Sequence, residues 1–140
     1  MPTRKMLLGA PSLALLILAG CGGTWIDDGR TFDRVFGFGK PRDVSIVHSD
    51  YWKSSHWSTE YRYFTALRAP LKFVGGITDA RVMIPRTPEE TMAASCGDKP
   101  QWFLPGSLAN YQVWIPKRDD RYLVFRNKSD GTLFVCGQRL

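Results

Sequence analysis

The stretch that decides the fold runs from residue 121 to residue 138 and reads RYLVFRNKSDGTLFVCGQ. Two runs rich in apolar and aromatic residues, 121–127 and 132–138, flank the polar segment Lys128-Ser129-Asp130-Gly131. Glycine at the last of these four positions suits the left-handed backbone conformation that a hairpin turn requires. We therefore expect two antiparallel strands that are joined by a short turn.

Shorter apolar runs upstream extend this sheet. Residues 111–115 alternate between polar and apolar side chains and end at Pro116, a pattern that predicts a strand. Residues 43–48, with Val44 and Ile46 on one face, and residues 81–84 predict two further strands. Residues 72–78 contain Gly75-Gly76 and predict a hairpin or a bend before the second of these strands.

A helical pattern follows the aromatic stretch at residues 51–64. From Ser58 onward, apolar residues recur at the spacing of one helix face, and Pro70 ends the run. The residues on that face are Trp57, Tyr61, Phe64 and Leu67. Ser58 is a suitable N-cap, so we expect a core helix over residues 58–67.

Two shorter helices are also expected. Thr31 is placed to cap a helix that continues to Phe36 and stops at Gly37. Residues 87–90 read TPEE, a capping box with proline at the first helical position, which predicts a helix that ends at Gly97. The whole pattern predicts a small single α+β domain, mainly an antiparallel sheet with one or two helices.

The N-terminal residues have the layout of an export signal. Arg4 and Lys5 precede the apolar run 6–18, which is shorter than the roughly 20 residues that a membrane-spanning helix needs. The run ends on Leu18-Ala19-Gly20-Cys21, which resembles the lipobox of bacterial lipoproteins. The alternative is a generic secretory signal, but such signals prefer a small residue at the position that Leu18 occupies.

The resemblance implies how the chain is processed and where it resides. Residues 1–20 would be removed, and Cys21 would be lipidated at its thiol and acylated at its amine. Residues 21–30, which include Gly22-Gly23-Thr24, would form a short tether, and residues 31–140 the single domain. Lipoproteins with aspartate after the cysteine stay in the inner membrane, so Gly22 implies the outer membrane, on its periplasmic side, in a cell that has one.

Charge and cysteine count fit this location. The chain has 19 basic and 13 acidic residues, and removal of Arg4 and Lys5 leaves 17 against 13, a net charge of +4. This mild excess is not typical of a nucleic-acid-binding surface. Lipidation would use one of the three cysteines, so Cys96 and Cys136 are expected to form a disulfide in an oxidising compartment, with two buried free thiols as the alternative.

One cluster of residues has the chemistry of a metal or acid–base site. The two histidines, His48 and His56, lie near Asp50 and Glu60 in the sequence. Zinc needs three or four convergent ligands, and two histidines eight positions apart are a weak indication. We therefore expect neither a metal nor another cofactor, and a small hydrolase that uses these four residues remains the third functional hypothesis.

Aromatic residues suggest a recognition surface instead. The mature part of the chain contains five tryptophans, and Tyr51, Trp52 and Trp102 are the first candidates for exposed binding residues, although core packing is the commoner role. The first hypothesis is a non-catalytic, membrane-anchored lipoprotein that binds an envelope protein or has an accessory role. The second is a module that binds cell-wall glycan or anionic lipid.

Overall fold

A computed structural model describes residues 22–55, 60–88, 96–118 and 122–140. These residues form one seven-stranded antiparallel sheet with strand order β1-β2-β3-β7-β6-β5-β4, and two helices. The strands are β1 Gly23–Ile26, β2 Ser45–Lys53, β3 Tyr61–Arg68, β4 Met83–Arg86, β5 Tyr111–Pro116, β6 Leu123–Asn127 and β7 Leu133–Arg139. The helices are α1 Thr31–Phe36 and α2 Leu71–Ile77. The expected small single domain with a mainly antiparallel sheet, one or two helices and one disulfide is confirmed, whereas the α+β class is matched only roughly because the described structure is mostly sheet.

The C-terminal hairpin has the predicted form. Strand β6 pairs with β7, with Arg126 opposite Leu133 and Leu123 opposite Cys136. Gly131 has a φ of 75° and donates its backbone N–H to the carbonyl of Asn127 at 3.0 Å. Glycine reaches this left-handed conformation without a steric penalty, so the turn can close tightly and allow the observed pairing of β6 with β7.

The core helix expected over residues 58–67 is wrong. Residues 61–68 form strand β3, which lies between β2 and β7 near the middle of the sheet, while Trp57 and Ser58 lie outside the described residues. All residues from Tyr63 to Leu67 are buried because both faces of this strand are covered. A strand buried on both faces loses the alternation of polar and apolar residues, and its apolar run can match helical spacing by chance.

Helix α2 replaces the expected hairpin or bend. It begins after Pro70, and Val74 is buried beneath it. Gly75 and Gly76 are exposed, and a Cβ at either position would meet no atom within 4 Å. Glycine costs a helix about 1 kcal/mol relative to alanine. Burial of Val74 and the half-buried Phe73 against the sheet offsets that cost, which the local sequence does not reveal.

Helices α1 and α2 cover one side of the sheet, which we call the helix face. Phe32 is fully buried there, and its ring centre lies 4.5 Å from that of Phe36 and 5.8 Å from that of Phe73. Gly37 ends α1 with a φ of 74°, as expected. Thr31 is not the cap, however, since it is the first helical residue and its buried hydroxyl makes no hydrogen bond.

The segment 96–110 covers the opposite side, which we call the loop face. Phe103 is 2% exposed and packs among three rings of the sheet at nearly perpendicular angles. These rings belong to Phe64, Phe125 and Phe134, at centroid distances of 5.0, 6.3 and 5.5 Å. The disulfide between Cys96 and Cys136 is present and joins this segment to β7. The helix predicted between Thr87 and Gly97 lies mainly outside the described residues.

Several predicted boundaries are corrected. Gly23 and Thr24, expected in a flexible tether, form part of β1, which pairs with β2 along all four of its residues. The folded domain therefore begins by Gly23 and not at residue 31, because β1 completes the edge of β2 and Trp25 packs on Tyr51. The strand expected at 43–48 extends to Lys53, and the one expected at 81–84 lies at Met83–Arg86.

Candidate functional site

A groove opens on the helix face between α1, the C-terminal end of α2 and the strands below them. Its volume is about 500 Å³, and pockets that bind small ligands commonly measure roughly 300–1,000 Å³. The polar side chains that line it are Arg34, Tyr51, Tyr61, Tyr63 and Tyr122, and the apolar lining includes Phe36, Phe38 and Ile77. We call this site the tyrosine groove.

Three of the tyrosines form a ladder because β2 and β3 pair in register. Tyr51 lies directly opposite Tyr63, with ring centres 6.2 Å apart and planes 9° apart. Tyr61 lies two residues before Tyr63 on the same face of β3, at 6.1 Å and 16°. Alternate residues of a strand share a face, so strand geometry alone aligns these rings. Trp25 extends the ladder onto β1, 5.8 Å from Tyr51.

Arg34 places a positive charge at one end of this ladder. Its guanidinium carbon lies 4.4 Å above the ring of Trp25 and 5.9 Å from the ring centre of Tyr51. Such cation–π contacts contribute about 0.5–1 kcal/mol at exposed sites. The Arg34 Nη1 atom also lies 3.3 Å from Oδ2 of Asp28, which fixes the guanidinium beside the groove.

Asp28 stays ionised through its contacts with arginines. Its Oδ1 atom accepts a hydrogen bond from the backbone N–H of Arg30 at 2.8 Å. This bond and further hydrogen bonds from the side chains of Arg30 and Arg34 lower the pKa of Asp28 to about 2. Asp28 thus carries one negative charge between the guanidinium groups of Arg30 and Arg34, so this end of the groove keeps a net positive charge at neutral pH.

The hydroxyl of Tyr51 remains protonated at neutral pH. Burial raises the pKa of Tyr51 above its usual value of 10.0, and the neighbouring Tyr61 adds to this effect. A protonated phenol can donate and accept hydrogen bonds while its ring packs against apolar surface. The described lining contributes phenols and one guanidinium but no carboxylate, imidazole or thiol. The lining therefore presents aromatic rings and hydroxyl groups to a ligand.

The three aromatic residues singled out in the sequence do not share one surface. Tyr51 belongs to the helix face and lines the groove. Trp52 is the next residue of β2 and therefore points to the loop face. Trp102 also lies on the loop face, where its ring is stacked on His48 at 5.2 Å and 29°. Only Tyr51 of this set is part of the tyrosine groove.

The four residues proposed for a metal or acid–base site are only partly described. His48 and Asp50 share the loop face of β2, and Nδ1 of His48 lies 3.7 Å from Oδ1 of Asp27. Glu60 precedes β3, and His56 lies outside the described residues. In the described ranges, no three His, Cys, Asp or Glu residues are grouped so that they could hold a metal ion.

A second cavity of about 560 Å³ lies beside the edge strand β4. Arg81, Lys117 and Arg118 give it a basic lining. Asp79 balances one of these charges, because its Oδ2 atom lies 2.7 Å from Nη2 of Arg81. Residues 119–121, which adjoin this lining, are not described, so the tyrosine groove is the better-defined site.

The sequence indicated Tyr51 but not the other residues of the groove. The expected core helix places Tyr61 on its apolar face and includes Tyr63 elsewhere, and Arg34 and Tyr122 belong to no motif. The two-residue spacing of Tyr61 and Tyr63, together with the β-forming Thr65, was the available signal for a strand. Arg34 and Tyr122 come to this site only through the packing of α1 and the sheet order, which local patterns do not encode.

Comparisons with protein families, with curated proteins and with solved structures found no match for this chain. Among the residues that the structure describes, no helix is both long and apolar enough to span a membrane.

Proposed function

We propose that this chain is a lipid-anchored envelope lipoprotein whose domain binds an envelope protein partner, without catalysis, through the tyrosine groove. Residues 1–20 are the signal, Cys21 carries the lipid, and the outer membrane, on its periplasmic side, is the favoured location. The observation that supports binding most strongly is the ladder of Trp25, Tyr51 and Tyr63 beside the fixed guanidinium of Arg34.

The groove has the composition of a protein-binding site. Tyrosine, tryptophan and arginine are the residues most enriched among those that contribute strongly to protein interfaces. The rings of Tyr51 and Tyr61 are half-buried, so a partner can cover them without a large rearrangement of the sheet. Their ring positions are fixed by strand pairing, which lowers the entropy cost of ordering them on binding.

A cell-wall glycan is the second candidate ligand. The half-buried rings of Tyr51 and Tyr61, both nearly parallel to the buried ring of Tyr63, offer apolar surface together with hydroxyl groups, and both suit the mixed character of a sugar ring.

Two adjacent residues of β2 provide a matched test. Tyr51→Ala removes a ring from the groove, whereas Trp52→Ala removes a ring of similar exposure from the loop face. Both variants are expressed with the native signal, crosslinked in the membrane and analysed by mass spectrometry, and purified sacculi are tested for retention. We expect Tyr51→Ala to lose the crosslinked protein and Trp52→Ala to keep it.

Other outcomes separate the alternatives. Loss of sacculus retention with Tyr51→Ala alone would identify a glycan as the ligand. Loss of the partner with Trp52→Ala alone would move the site to the loop face and contradict the proposal. The melting temperature of each variant is measured as a control, because a general loss of folding would affect both ligands equally.

A further inference from the structure

We infer that one end of the sheet lies directly on the membrane that carries the lipid anchor. This inference rests on the proposed lipidation of Cys21. The relevant surface is the set of strand ends nearest Gly22, namely Lys53, Tyr61, Arg62, Arg139 and Leu140, which we call the anchored rim. Its partner is the phospholipid surface itself.

The sheet begins only one residue after the proposed lipid attachment. Gly23 is already paired with Lys53, so only Gly22 separates Cys21 from the sheet. Two residue steps span at most about 7 Å between Cα atoms, and the headgroup layer on each side of a bilayer is roughly 5–8 Å thick. The first strand therefore cannot leave the membrane surface while Cys21 remains anchored.

Gly22 is itself held against the sheet. A Cβ at this position would lie 2.3 Å from both the Cα and the backbone nitrogen of Ser55. Real Cβ atoms do not approach other atoms so closely, and only glycine fits beside this backbone. Gly22, which would serve as the tether, is therefore packed against the backbone at the end of β2, so it cannot act as a flexible linker.

Strand register determines which residues lie at this end. Gly23 pairs with Lys53, Lys53 with Tyr61, and Tyr61 with Arg139, which forms one row across four strands. Lys53 and Arg139 are exposed, and Leu140 is 80% exposed.

The composition of the rim suits a lipid headgroup layer. Arg62 adds a third cation from the next residue of β3, and the one acidic residue described at these strand ends is Glu60. Cations are attracted to an anionic lipid surface, and tyrosine is enriched in the same interfacial layer. Two independent features, the short connection and the basic–aromatic rim, thus favour the same orientation.

This orientation has a consequence for the tyrosine groove. Tyr61 belongs both to the rim and to the groove lining, so one end of the groove lies beside the membrane. A ligand of the groove would therefore be met close to the membrane surface.

Amine labelling of the lipidated protein tests this inference without altering the rim. The protein is reconstituted in vesicles of phosphatidylcholine and phosphatidylglycerol, whose headgroups carry no primary amine, and treated with an amine-reactive reagent, and labelling of each lysine is followed by mass spectrometry. Lys53 reports on the rim. Lys72 is the internal control, because it is exposed and lies beyond the opposite end of β3.

The matched variant carries a Gly/Ser linker of about 15 residues between Cys21 and Gly22, with a mean span of about 20 Å. We expect Lys53 to be labelled several-fold more slowly in the native protein than in the linker variant, with Lys72 labelled equally in both. Equal labelling of Lys53 in the two proteins, with Cys21 lipidated in both, overturns the inference and leaves the proposed function intact. An unmodified Cys21 in the N-terminal peptide overturns the anchor and the rim together.

Discussion

The two faces of the sheet are covered in different ways. On the helix face, α1 and α2 satisfy much of their own backbone hydrogen bonding and pack through Phe32, while the tyrosine groove is left open beside them. On the loop face, the segment 96–110 contains one short 3₁₀ helix, at Leu108–Asn110, and otherwise lacks regular structure. One face therefore provides a ligand-sized space, and the other depends on individual side chains to stay closed.

Three kinds of contact hold the loop segment in place. The Cys96–Cys136 disulfide joins it to β7, and Phe103 fills the centre of its core. Lys99 Nζ donates hydrogen bonds to the carbonyls of Phe103 and Leu104 at 3.0 and 3.2 Å, and the hydroxyl of Tyr111 donates to the carbonyl of Pro105 at 2.8 Å. Buried loops need such partners because their backbone groups have none in a ladder. The following predictions test this contrast between the faces.

The largest effect is expected from Phe103→Ala. Truncation of a fully buried phenylalanine typically costs about 3–5 kcal/mol, since it removes apolar burial and leaves a cavity. The matched variant on the helix face is Phe73→Ala, which removes a half-buried ring and should cost less. Urea unfolding of both proteins measures the difference. Equal losses would show that the helix face depends on single side chains as much as the loop face does.

Loss of the disulfide should have the next largest effect. The bond closes a loop with a sequence separation of 40, for which the chain-entropy model gives roughly 3–4 kcal/mol of stabilisation. We expect the double variant Cys96→Ala, Cys136→Ala to unfold at lower urea concentration, while ligand binding to the tyrosine groove changes little. A comparable loss of binding in the still-folded variant would mean that the two faces are coupled.

The smallest effect concerns two aspartates, Asp28 and Asp79, whose pKa values are lowered to about 2. Hydrogen bonds from Arg30 and Arg34 lower the pKa of Asp28, and hydrogen bonds from Arg81 lower the pKa of Asp79. Because the folded-state pKa lies below the ordinary value of 3.8, each carboxylate stabilises the fold above about pH 4 and loses this contribution as pH falls towards 2. Asp28→Asn and Asp79→Asn should each flatten the fall in unfolding free energy over that interval.

Only Asp28→Asn should also weaken groove binding, since Asp28 positions Arg34 beside Trp25. Asp79 positions Arg81 at the other cavity and is the control. Urea unfolding at a series of pH values measures the first effect, and ligand retention at neutral pH measures the second. Unchanged binding in Asp28→Asn would remove Arg34 from the list of ligand contacts.

Local sequence patterns correctly predicted features that depend on residues close together in the chain. The Lys128–Gly131 turn, the end of α1 at Gly37 and the strand before Pro116 followed from turn, capping and alternation rules. The disulfide followed from the cysteine count once Cys21 was assigned to a lipid. The lipid anchor itself is still a prediction from four residues. The hydrolase hypothesis is also still a prediction, because His56 lies outside the described residues.

Only the tertiary structure decided that residues 61–68 form a strand and that the tyrosine groove exists. Burial on both sides made the strand β3 look like a helix, because a sequence records which residues are apolar and not which neighbours cover them. The groove combines α1, α2, β2, β3 and the residue before β6, which meet only through the order of strands in the sheet and the packing of the helices on it. That order follows from the packing of distant segments, and no local pattern determines it.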